Sequence, residues 1–332
     1  MSVAIWPPIT PSALETAIST SQSREVTWFL ESLKPTLDTL KHILLDSYAL
    51  LAPIDPGSTL VISTPRAETA KGTITRVGTR IVRGTLNLRL RTLPPQTLNI
   101  SPSHPIHLAP LVSLHTLLTH SIDLLTLTLD NLSPSSPETP AFLAAQLRLL
   151  SHSISEASSL LKGPPLTESD PTWTTRSVAS SHFLPPGPHP AGVNGVPALS
   201  VLFGIQDGCL VLWLRSLEPA DAPVNFGTKL ALAIGTTRRL EHDETDKMFG
   251  FCCAEGESHM PGLVRHGSFN PGEHAHAHPR GKEVDVFVRE KVRVETADPS
   301  LLSLASKLTA LGNTLSVVRR NLAAVMGEEV ED

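Results

Sequence analysis

Near its end the chain places Leu301, Leu304, Leu308, Leu311, Leu315, Val318, Leu322 and Val325 at steps that alternate three and four without a break. That spacing puts all of them on one stripe of an α-helix. The helix is predicted over Asp298–Met326. The Asp298 carboxylate can accept free first-turn N–H groups, Pro299 tolerates the first helical position, and Gly327 is a natural stop. Such a stripe needs a partner surface. One reading is a leucine zipper to a second chain through a single seam; the other is a bundle formed within the chain.

Three further seams favour the bundle, because each helix then finds its partners in cis. The first runs through Val26, Leu30, Leu33, Leu37, Leu40, Leu44 and Leu51, with Tyr48 filling the missing step, and Pro35 predicts a kink or break inside it. The second runs through Leu111, Leu114, Leu118, Ile122, Leu125, Leu129 and Leu132, and the third through Leu143, Leu147, Leu150, Ile154, Ala157 and Leu161. Ser133-Pro134-Ser135-Ser136-Pro137 separates these two, and so short a break makes them antiparallel neighbours.

Between the helices the period changes to two. Thr59–Thr64, Lys71–Val77, Arg80–Arg91 and Gln96–Ile100 read as a meander turning at Arg76-Val77-Gly78-Thr79. Ala198–Leu217 reads as a hairpin about Gln206-Asp207-Gly208. Glu283–Thr296 is a last strand, with Val284, Val286, Val288, Val292 and Val294 on one parity. Lys229–Leu240 fits strand or helix, and Arg238–Lys247 reads as a charged loop.

The expected fold is therefore α+β: an antiparallel four-helix bundle lobe over 24–52, 107–162 and 298–326, and an antiparallel β lobe over 57–102 and 198–296. Residues 1–23 read as a mobile tail and 327–332 as an acidic one. Residues 163–197, with eight prolines, read as a linker apart from a short segment around Trp173–Leu184.

A net charge of -5 and a pI near 6.3 argue against a nucleic-acid-binding surface. Three cysteines, two of them adjacent, make no disulfide framework, which suits a reducing cytosolic setting. No secretory signal is evident in 1–23. The most apolar segments, Leu108–Leu132 and Ala198–Leu217, are interrupted by polar or turn residues, so no transmembrane segment is expected.

The sharpest local feature is His274-Ala275-His276-Ala277-His278, whose imidazoles would share one side of an extended strand and suit a transition metal. Pro271-Gly272 and Pro279-Arg280-Gly281 bracket it as a loop, and no carboxylate or cysteine stands at a ligand spacing, so a solvated loop is the simpler reading. Cys252-Cys253 lacks an activating base and reads as idle thiols. Gly192-Val193-Asn194-Gly195 and Gly78–Gly84 lack the strand-to-helix setting of a phosphate loop. Arg76, Arg80, Arg83, Arg89 and Arg91 form a basic stripe; such a stripe is usually a solvated face, and the functional alternative is a docking site for an acidic partner. No catalytic, cofactor-binding or metal-binding residue is assigned, and a metal-dependent protein built on His274–His278 is the alternative to a non-enzymatic one.

In this order of elements the chain resembles the Rogdi family. The likeness rests on Glu25-Val26-Thr27-Trp28-Phe29-Leu30, Lys71-Gly72-Thr73-Ile74-Thr75, Leu86-Asn87-Leu88, the hairpin Leu199–Leu217, and Lys282–Val294 followed by the terminal helix. It covers most of 24–326 and departs at Pro35, 163–197 and 219–281. The resemblance implies an α lobe and a β lobe with no catalytic residue and no cofactor. Fungal members are the small subunit of the RAVE complex, a regulator of the vacuolar-type proton-translocating ATPase. It further implies a large propeller-containing subunit and peripheral-sector components of the pump as partners. The implied location is the cytoplasm, with peripheral recruitment to vacuolar and endosomal membranes.

Overall fold

The structure, a computed structural model, describes residues 9–65, 68–132, 139–165, 171–184, 197–221, 242–252 and 283–327. It is α+β, with five helices and two antiparallel sheets among these residues. They divide into a helical unit, from Met1–Pro53, Ala109–Lys162 and Pro299–Asp332, and a β unit, from Ile54–Leu108 and Gly163–Asp298.

The helical unit contains α1 (Pro11–Ala49), α2 (Ala109–Asp130), α3 (Thr139–Lys162) and α5 (Pro299–Met326). Contacts link α1 to α2, α2 to α3, α3 to α5 and α5 back to α1. Seven of the eight predicted α5 stripe residues, Leu301 to Leu322, are buried, and Val325 is half-buried. By length and composition α5 is apolar enough to cross a membrane, but its leucine stripe is spent on core contacts within the chain.

Two seams differ from the predicted ones. In α1 it is Ser47, not Tyr48, that fills the step between Leu44 and Leu51; in α2 Ser121 and Thr128 are buried where Ile122 and Leu129 were expected. Each hydroxyl donates to the carbonyl four residues back, Ile43, Leu117 and Leu124, at 2.7 Å, which satisfies a polar group inside an apolar seam. Tyr48 is half-buried, its ring 4.7 Å from that of His115. Helix α1 also begins at Pro11, so residues 11–23 are helical rather than tail, and Pro35 lies within one continuous element instead of dividing two. Proline's fixed φ suits the first helical turn, while the turns that follow it bury nothing and so left no seam to read.

In the β unit, sheet 1 has the order β1 (Ser58–Ser63), β2 (Ala70–Val77), β3 (Arg80–Leu88), β4 (Gln96–Ile100), β6 (Phe183–Leu184), with β5 (Ile106–His107) also on β3. Sheet 2 has the order β7 (Leu199–Gln206), β8 (Cys209–Pro219), β10 (Glu283–Ala297), β9 (Met248–Cys252). The β7–β8 turn takes positive φ at Asp207 and Gly208, as a two-residue hairpin loop requires.

Each sheet contains a bulge that the period-two reading missed. Thr75 pairs with Arg83 but Arg76 with Ile81, so Val82 is an extra residue and Ile81 returns to the buried face beside Leu86 and Leu88. In β10, Val288 pairs with Leu217 but Glu290 with Ser216, leaving Arg289 extra. Val284, Val286 and Val288 therefore lie on the opposite face from Val292 and Val294, which corrects the expectation of one parity. The first three pack with Trp173, Leu217 and Phe251. Trp173 opens the one-turn helix α4 (Trp173–Arg176) and is fully buried, so this part of the proline-rich 163–197 stretch is core rather than linker.

Leu308→Ala in α5 should lower stability by about 2–5 kcal/mol. Leu302→Ala, on the same helix but 40% exposed, should change it by less than about 1 kcal/mol. Urea unfolding of the two variants measures the difference.

Candidate interaction surfaces

Beyond the bulge, β10 and β8 place Lys291 opposite Arg215 and Arg293 opposite Trp213. The Trp213 ring centroid lies 5.4 Å from Arg215 Cζ, 4.8 Å from Lys291 Nζ and 5.7 Å from Arg293 Cζ, within cation–π range. Arg215 also stands 4.8 Å from the Trp173 ring. Its Nε and Nη2 donate to Glu244 Oε2 and Oε1 at 2.7 and 2.9 Å, a bidentate fork. Lys291 Nζ lies 2.8 Å from Glu244 and 2.7 Å from Asp243, and Arg293 Nη2 donates to Gln206 Oε1 at 3.1 Å.

Burial alone would raise the Glu244 pKa. Hydrogen bonds and charge from Arg215 and Lys291 outweigh it and hold the carboxyl at about 2. A carboxylate fixed in its charged form, with both oxygens taken by cations, is not a proton shuttle. The cluster clamps the turn before β9 onto sheet 2.

The basic stripe is divided by the structure. Arg76 is buried, not displayed: its Nε and Nη2 donate to Asp298 Oδ2 and Oδ1 at 2.6 and 3.1 Å, and Nη1 to the Gly78 carbonyl. Asp298, read from sequence as a helix cap, thus also neutralises a buried guanidinium. Arg80 is half-buried, while Arg83, Arg89 and Arg91 are exposed. Behind Arg91, the buried Glu290 Oε2 accepts the Arg91 and Thr92 backbone N–H groups at 2.8 and 3.1 Å.

Of the other sequence candidates, His274–His278, Gly192–Gly195, Cys253 and Lys229–Leu240 lie outside the described residues. Among the described residues no group of three or more metal-ligating side chains is present. Cys209 and Cys252 are half-buried free thiols, and burial together with Glu295 pushes the Cys209 thiol upward, away from a nucleophile's range. Sequence reading also missed an apolar stripe on α1, where Leu14, Ile18 and the 70% exposed Trp28 lie on one side.

The fold and these clusters define a two-unit α+β protein whose buried charges are paired into its frame. The model of the Rogdi leucine zipper containing protein family matches residues 25–323, and the chain belongs to that family. Comparison with curated proteins returns no match. Family membership points to a non-catalytic role.

Glu244→Gln should destabilise the protein by about 3–5 kcal/mol at neutral pH, because it leaves Arg215 buried without its counter-charge. The folded carboxyl at about 2 lies below its ordinary value of 4.5, so the wild-type advantage is complete above about 4.5 and is lost as pH falls toward 2. Urea unfolding of both proteins across that range should show their difference shrinking with acid; a constant difference would contradict the pairing.

Proposed function

We propose that this protein is a non-enzymatic adaptor, the small subunit of a RAVE complex that promotes reassembly of the vacuolar-type ATPase. The observation that carries this reading is the family match over residues 25–323. The pattern of the site agrees with it. Arg76, Arg215, Glu244 and Glu290 are each engaged by partners that hold the β unit together.

In this reading the four long helices form an antiparallel bundle, supported by the cycle of contacts from α1 through α2 and α3 to α5. The bundle and the β unit act as display platforms. The partners are the large propeller-containing subunit and peripheral-sector components of the pump. The protein is cytoplasmic and reaches vacuolar or endosomal membranes through those partners. The source is fungal, as the comparison with the small RAVE subunits implies.

Tagged protein purified from its own cells during glucose withdrawal and restoration should carry the propeller subunit and pump components with it. A deletion strain should acidify its vacuole poorly. Purification free of both partners, together with normal acidification in the deletion, would overturn the reading.

A further inference from the structure

The outward face of sheet 1 is read from its register. One exposed row crosses all five main strands as Val61, Thr73, Thr85, Asn99 and Leu184, and another carries Lys71, Asn87 and Thr97. Neighbouring side chains are tied across the strands: the Thr85 hydroxyl donates to Asn99 Oδ1 at 2.9 Å and that of Thr97 to Asn87 Oδ1 at 2.8 Å. Arg83 stands beside Thr75, its Nε 3.5 Å from the hydroxyl. No strand residue exposed on this face is acidic, although the chain as a whole carries a net charge of -5. Among the described residues Lys71 and Arg83 make no ion pair. Arg89 has one at 3.8 Å with Glu68, both about 70% exposed, where solvent screens the attraction.

We propose that this face docks an extended acidic segment of a partner protein. Charge complementarity selects the occupant: unneutralised cations sit among hydroxyl and amide groups that can hydrogen-bond carboxylates and backbone. The cross-strand bonds already order those groups, so binding loses little further side-chain freedom. A membrane surface fits less well, because Val61 and Leu184 are the large apolar side chains exposed there and no aromatic accompanies them. Nucleic acid fits less well too, because the face offers no ring for bases to stack on and few cations for phosphates. The inference goes beyond the assembly reading and does not rest on it.

The test uses the full chain and a fluorescent polyglutamate peptide, followed by anisotropy. Wild type should bind it, more weakly as salt rises. Lys71→Glu with Arg83→Glu should weaken binding about tenfold or more. Arg24→Glu with Lys34→Glu, exposed on α1, should leave it unchanged. If circular dichroism shows the charge-reversed sheet variant misfolded, Lys71→Gln with Arg83→Gln decides the matter by the same loss in milder form. Absence of wild-type binding, equal binding by the sheet variants, or tighter binding to phosphatidylserine vesicles or a single-stranded oligonucleotide than to the peptide would overturn the proposal.

Discussion

The β unit depends on one extra residue in its longest strand. Arg289 is unmatched between β10 and β8, and side chains before and after it face opposite sides of sheet 2. Val286 and Val288 thereby join the Trp173 cluster, while Val292 and Val294 stand beside Leu214 and Leu212. The same shift turns Lys291 and Arg293 toward Trp213 and leaves Glu290 buried, where backbone N–H groups of the β3–β4 connection reach it. The Arg289 guanidinium itself pairs with Glu218 on β8. Hydrophobic contact, ion pairing and the link between the two sheets all follow from this offset.

Periodicity made the helices legible, because Leu, Ile and Val at steps of three and four leave few alternatives. The same signal was silent where the seam is built differently. Ser47, Ser121 and Thr128 look polar in sequence yet lie in the core, their hydroxyls returned to their own helices. Bulges at Val82 and Arg289 change parity without any residue that announces them. Trp173 has no periodic neighbours inside its proline-rich stretch and finds its partners, among them Phe251 and Val286, only after the chain has folded.

The charged residues were the least legible. Arg76 reads as a member of an exposed stripe, but its carboxylate partner lies 222 positions away; the Arg215–Glu244 pair is separated by 29. A buried guanidinium and a solvated one are the same letter, and only the distant partner distinguishes them. Once these pairs are set aside, the cations that remain displayed on sheet 1, Lys71 and Arg83, stand out from an otherwise acidic chain. For a member of the Rogdi family, with a non-catalytic role, such displayed faces are where function resides.

Deleting Arg289 from the full chain tests this arrangement most directly. The deletion forces one parity along β10, so one of its two valine groups must leave its core. Amide hydrogen exchange should show lost protection on one side of the deletion, with stability reduced by about 2 kcal/mol or more. Protection retained on both sides of the deletion, with unchanged stability, would contradict the division of β10 between two faces.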